Sequence, residues 1–331
     1  MKKLISAKTT RNIALVGISK NSGKTSLLNA ILAENPQLRW AVMTTGLDGE
    51  EKDRVFQTPK PQVALPAGVL FCCDAETLAK HGSKVELCAQ VFYNGRKLYI
   101  AKSLACLQTQ ISGPASVLQQ KKLIAHFRAL GARKVLIDGA LDRKSIALED
   151  RVDTLILCVG ASFGTLGEIE KELRRIIMLR DLSAVQLSNY QMGRLKRADQ
   201  ILMFEQNRWK QSGIKTLIRH EKPLKEILSR GVKALYIPTS FTDLLYDHLA
   251  SDLAKQDLQI IFRHPECIKL NLANLQRFLW QNRVSCLIPF KIKAFALNST
   301  AIGKEAIAAD RFRDHIRKAF PEESFYDIME V

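Results

Sequence analysis

The chain has 331 residues, 47% hydrophobic and 25% charged, which is ordinary globular composition with enough length to bury a substantial core. Fifty Lys and Arg against 33 Asp and Glu leave a net charge of +17, which favours an acidic partner, yet the basic residues come as scattered doublets such as Lys121-Lys122 and Arg174-Arg175. Only 7% of residues are aromatic and no stacking cluster is evident, so the reading is against nucleic acid and for a generally basic solvated surface.

The first element is the apolar run Asn12 to Val16, read as a buried strand. Gly17-Ile18-Ser19-Lys20-Asn21-Ser22-Gly23-Lys24-Thr25 follows, and Lys24 to Leu32 has a helical pattern. Strand, glycine loop and helix are the context of a phosphate-binding loop, in which backbone N–H groups and the helix N-terminus converge on an anion. Gly23 lets backbone approach phosphate, Lys24 reaches the β- and γ-phosphates, and the Thr25 hydroxyl holds Mg²⁺. Gly17, Lys20, Asn21, Ser22 and Ser26 complete the expected nucleotide contacts. The spacing is a variant: five residues, not four, separate Gly17 from Gly23, Ile18 stands where the first glycine is usual, and Lys20 adds a cation.

Trp40 to Thr45 reads as a second strand, running into Gly46-Leu47-Asp48-Gly49-Glu50-Glu51-Lys52-Asp53. Acids just past a strand's C-terminal end lie on the rim where open α/β sheets bind ligands, so Asp48 and Glu50 are candidates to hold Mg²⁺ or orient an attacking group; a solvated acidic turn is the plainer alternative. Residues 62–105 change character. Val69 to Cys73, Val85 to Phe92 and Lys97 to Leu104 are strand-like, with Asn94-Gly95 as a hairpin signal, which predicts an antiparallel insertion or sheet extension.

Pro114 to Leu130 reads as a helix, and Lys134 to Asp138 as an apolar strand capped by an acid, the form of a second Mg²⁺-contacting motif. Strand Val152 to Val159 follows, then Gly160-Ala161-Ser162 and a helix carrying Ile169, Leu173, Ile176 and Ile177 on one face. Glu170 and Arg174 are spaced as a surface pair. Residues 199–218 hold short strands around Asn207-Arg208 as a smaller insertion. Alternation resumes with strand 234–237, helix 241–254, strand 258–262, helix 272–280, strands 286–289 and 293–297, and a helix from about 310 to 319.

This pattern predicts an α/β fold, a P-loop NTPase-like mostly parallel sheet with helices on both faces and an antiparallel strand insertion, treated as one domain over 1–331, although length also allows two unequal lobes. Seven cysteines without a Cys-x-x-Cys pair read as reduced core residues, no apolar stretch reaches membrane-spanning length, and a cytoplasmic protein is expected. The six histidines lack metal spacing, and no Asn-Lys-x-Asp segment is present to select guanine, which tilts the nucleotide toward ATP.

Four segments together resemble a known family. They are Gly17 to Thr25; Thr44 to Asp53 with Lys60-Pro61 and Leu65-Pro66-Ala67-Gly68; Ser112-Gly113-Pro114; and Ile137-Asp138-Gly139-Ala140-Leu141-Asp142-Arg143-Lys144-Ser145. They are similar to the P-loop reactivating factor of adenosylcobalamin-dependent lysine 5,6-aminomutase and ornithine 4,5-aminomutase, most densely over residues 11–145, with Ala296 to Thr300 a faint echo of an Asn-Pro motif there. The resemblance implies an ATPase with Mg²⁺ that drives damaged cobalamin out of an inactivated mutase, with loops at 48–53 and 138–144 ordered by the γ-phosphate. A protein partner is then expected and a homo-oligomer is left open. The competing reading is an ATP-dependent ligase or kinase of the dethiobiotin-synthetase type, and a third is a nucleotide-sensing or cofactor-insertion module.

Overall fold

A computed structural model describes residues 2–19, 21–45, 62–93, 95–114, 116–140, 152–217, 220–300 and 307–330. The chain divides into two compact units, residues 1–169 with 291–331, and residues 170–290. The sequence pattern treated 1–331 as one domain; the two unequal units correspond to the other arrangement that length allows.

In the first unit a short helix α1 (Lys2–Ser6) precedes β1 (Asn12–Gly17), α2 (Lys24–Glu34), β2 (Trp40–Thr44), β3 (Val63–Leu65), β4 (Leu70–Cys73) and α3 (Ala75–His81). Next come β5 (Val85–Tyr93), β6 (Arg96–Ser103), β7 (Leu107–Thr109), α4 (Val117–Ala129), β8 (Lys134–Ala140), β9 (Thr154–Gly160) and α5 (Leu166–Arg180), within which the division between the units falls. The second unit holds α6 (Asn189–Arg197), β10 (Leu202–Glu205), β11 (Arg208–Gln211), α7 (Glu221–Ser229), β12 (Ala234–Ile237), β13 (Phe241–Thr242) and α8 (Asp243–Ala254). It continues with β14 (Gln259–Phe262), β15 (Ile268–Lys269), α9 (Leu272–Gln281) and β16 (Arg283–Cys286). The chain then returns to the first unit as β17 (Ile292–Asn298), α10 (Ala309–Ala319) and β18 (Phe325–Asp327).

Among the described residues the first unit forms one sheet of nine strands, in the order β18-β17-β9-β1-β8-β2-β4-β6-β5. The pairs from β18 to β4 are parallel, whereas β4–β6 and β6–β5 are antiparallel. The fold is therefore mixed α/β with a large, mostly parallel sheet, and the expected antiparallel segment is an extension of that sheet. Every residue of β2 and β9 is buried. Strands covered on both faces read as continuous apolar runs, which is why Trp40-Ala41-Val42-Met43 and Leu155-Ile156-Leu157-Cys158-Val159 show no alternation.

The second unit has a five-stranded sheet, β11-β10-β12-β14-β16, in which β12, β14 and β16 are parallel. The strands expected around Asn207 are the β10–β11 hairpin of this sheet, with Gln206 and Asn207 at φ 51 and 58 in its two-residue turn. One strand lies elsewhere than expected: Arg283–Cys286 pairs with β14, not 286–289. Arg283 and Ser285 hide the β16 signal, while the more apolar Leu287-Ile288 follows the strand. No helix among the described residues is long and apolar enough to cross a membrane.

Candidate functional site

β1 carries the loop out of the centre of the large sheet, paired with β8 on one side and β9 on the other. The Ile18 N–H donates to the Cys158 carbonyl (3.1 Å), so the loop leaves the sheet anchored on β9. Asn21 at φ 60 and Gly23 at φ 91 are both left-handed. Left-handed residues interleaved in a loop turn successive N–H groups toward one side, the concavity in which anions are received. Helix α2 then begins on Gly23 without a side-chain cap and without a carboxylate in its first turn. Its first turn is Lys24, Thr25 and Ser26, so the positive end of the helix faces the loop.

Three glycines make this packing possible. A Cβ at Gly17 would overlap the Oγ of Ser22, whose fully buried hydroxyl has no hydrogen-bond partner among the described residues. A Cβ at Gly160, the end of β9, would stand 2.8 Å from the Ser22 Cα. One at Gly23 would stand 2.6 Å from the Cβ of Asn298, the end of β17. Ser162 adds a hydrogen bond from its Oγ to the Asn21 carbonyl at 3.3 Å. The loop is thus wedged between the ends of three parallel strands.

The neighbouring strand ends close the other side. Asp138 sits opposite Leu15 of β1 and Thr44 of β2, and its carbonyl accepts from the Thr45 N–H at 2.9 Å. Ser112 donates its N–H to the Cys72 carbonyl (2.7 Å) and accepts from the Thr44 N–H (3.4 Å). Gly113 crosses the end of β2 so closely that a Cβ would overlap the Thr44 carbonyl. Buried Gln120 of α4 fixes this crossing by donating to the Pro114 carbonyl at 2.8 Å. Beneath the loop, burial pushes the Cys158 thiol up to about 12; Lys24 draws it down and Asp138 raises it further, so both charges act on one buried point.

The structure brings together Gly17, Asn21, Ser22, Gly23, Lys24, Thr25, Ser26 and Asp138 on the C-terminal rim of one parallel sheet. Lys20, Asp48 and Glu50 lie outside the described residues, as do Asp53 and Asp142 to Ser145. Gly160, Ser162 and Asn298 were not singled out as site residues; a strand ending in Gly-Ala-Ser and the 296–300 segment were the signals that could have found them. Among the described residues no three His, Cys, Asp or Glu side chains group to hold a metal ion. Compared with protein-family models, curated proteins and solved structures, the chain matches none.

Proposed function

We propose that this protein is a P-loop ATPase that acts on a partner protein. The observation that carries the reading is the convergence of an uncapped helix start, two left-handed loop residues and Lys24 and Thr25 at the end of β1, beside Asp138 on the adjacent strand. Gly17, Gly23 and Gly160 let the loop pack tightly on Ser22 and Asn298, which fixes the backbone whose N–H groups would receive a triphosphate. Thr25 and Asp138 are the hydroxyl and carboxylate that would hold Mg²⁺, which supplies charge neutralisation for phosphoryl transfer when bound. In this reading Lys24 neutralises the phosphates, the loop amides orient them, and the nucleotide is ATP.

The partner is the finer step. The resemblance over residues 11–145 supports an adenosylcobalamin-dependent aminomutase, with ATP turnover loosening its grip on damaged cobalamin. Binding of a fluorescent ATP analogue to wild type and Lys24→Ala tests the shared site: the variant loses binding, and unchanged binding rejects the assignment. ATP-dependent release of cyanocobalamin from an inactivated aminomutase then tests the role. Turnover stimulated by a small carboxylic acid or amine, with no effect of the mutase, would favour the ligase or kinase reading instead.

A further inference from the structure

A buried carboxylate stays charged only when it is paired and hydrogen-bonded. The side chain of Asp327, the last residue of β18, is fully buried. Its Oδ1 accepts from the Met329 N–H at 2.8 Å, and its Oδ2 faces Nη1 of Arg313 on α10 at 3.4 Å. The same Nη1 lies 3.5 Å from the Oγ of Ser299, itself buried, so one corner of the guanidinium bridges β18 to the residue after β17. The rest of Arg313 is held from outside: Nη2 donates to Asp310, and Nε faces Glu330 at 3.3 Å. A guanidinium fixed by partners on three sides is a rigid fork, which a flexible lysine does not reproduce.

What this fork fixes is the end of β17. The β17–β18 ladder stops at Leu297 opposite Asp327, where the Ile328 N–H donates to the Leu297 carbonyl at 3.0 Å. Asn298 therefore sits between a residue on that ladder and Ser299 beside Arg313. Its side chain is what β17 sends to the loop: a Cβ at Gly23 would stand 2.6 Å from its Cβ and 2.9 Å from its Nδ2. Gly23 is the left-handed start of α2, where no side-chain cap holds the first turn. The far end of α2 meets the same edge strand, because the Tyr326 hydroxyl donates to the carboxylate of Glu34, the last residue of the helix. Adjacent residues Tyr326 and Asp327 thus bear on both ends of the helix that opens on Lys24 and Thr25.

We infer that Arg313 and Asp327 are positioning residues for the phosphate loop, acting through Asn298 on the left-handed turn at Gly23. The inference rests on the nucleotide reading of that loop. Amides that receive an anion work best when they are held in place before it arrives, and the shell behind the contacting groups does the holding. On one side that shell is Gly160, within β9, which is paired to both β1 and β17. On the other side it is Asn298, and outside β17 stands only the three-residue β18. Arg313 supplies there the anchor that a longer edge strand would give.

The affinity of the full chain for a fluorescent ATP analogue, measured below the melting temperature of each variant, tests this. Asp327→Asn, Arg313→Lys and Asn298→Ala each weaken binding by about 10-fold. Combining Asp327→Asn or Arg313→Lys with Asn298→Ala gives no further loss, a non-additivity that general destabilisation would not produce. If Asp327→Asn does not fold, Arg313→Lys with Asn298→Ala completes the same cycle. Wild-type affinity in both Arg313→Lys and Asn298→Ala, or losses that add in full, would overturn the inference; with Lys24→Ala abolishing binding, the nucleotide site itself would stand. Unchanged binding in Lys24→Ala rejects the nucleotide reading, and this inference with it.

Discussion

The two sheets end in opposite ways. Both have adjacent parallel strands whose C-terminal ends define a rim, the place where open α/β sheets bind ligands. In the large sheet that rim is lined by Gly17, Gly23, Gly113 and Gly160, which let Ser22, Asn298 and the Thr44 carbonyl approach closely. In the small sheet it is filled by side chains. His264, fully buried after β14, stands edge-on to Phe290 at 4.6 Å and accepts from the Glu266 N–H through Nδ1 (3.1 Å). The guanidinium of Arg263 is spent on the Tyr236 hydroxyl (3.0 Å) and the Ala198 carbonyl. The Cys267 thiol donates to the Pro238 carbonyl. The two rims thus differ in what closes them: contacts of Ser22 and Asn298 with glycines in one, and the buried side chains of Arg263, His264 and Cys267 in the other.

If that contrast is right, the two units fail differently when cut. The largest effect falls in the second unit. Phe278 is fully buried, with ring centroids 5.3 Å from Phe241, 5.4 Å from Tyr246 and 6.1 Å from Phe262. Phe278→Ala is expected to cost about 4 kcal/mol of stability, read by urea unfolding. At a temperature where the variant is folded, its affinity for an ATP analogue stays at the wild-type value. A loss of affinity would mean that the small-sheet unit contributes to the proposed nucleotide site.

Gly17→Ala should do the reverse. The new methyl overlaps the Ser22 hydroxyl, the loop must shift, and affinity for the ATP analogue falls by about 100-fold, or roughly 2.7 kcal/mol. Adding Ser22→Gly removes the obstructing side chain and restores most of that affinity. Without such rescue, the Gly17–Ser22 contact is not what fixes the loop. Gly213 gives the control glycine in the second unit. It has φ +80, and no atom of the described residues lies within 4 Å of where a Cβ would stand, so Gly213→Ala adds left-handed strain of about 1 kcal/mol, read by thermal unfolding.

The same contrast explains what could be read in the sequence. Strands β1, β2, β8 and β9 were legible because burial on both faces leaves unbroken apolar runs, and the start of α2 was legible because Gly23 directly precedes the helical pattern from Lys24. Asn298 and Gly160 were not, since what they do depends on strand order, and β17 reaches β9 only after the 121 residues of the second unit. Short, amphipathic α6 was missed for another reason. Its capping box, Ser188 with Gln191, is a local signal, but Gly193 and a run of basic residues dilute the apolar stripe, leaving Leu195 as its buried side chain. The bulge in β5 has no local mark at all, because a register shift belongs to a pair of strands.

The smallest effect concerns the thiols under the large sheet. Burial pushes Cys73 and Cys158 up to about 12, with Asp74 adding to the first and Asp138 to the second. In the unfolded chain each ionises near its ordinary value of about 8.5. The fold therefore holds protons that the unfolded chain releases: this contribution is fully present below about pH 8.5 and is lost as pH rises toward 12. Urea midpoints should fall over that window, and Cys158→Ala should flatten the decline while adding its own pH-independent packing cost. Cys106, exposed, marks the other limit and should be alkylated first by iodoacetamide at pH 8, with Cys158 untouched until unfolding. Early labelling of Cys158 would mean that the loop above it opens readily. The glycine-built rim would then be open backbone that rearranges around its ligand, unlike the side-chain-filled rim of the small sheet.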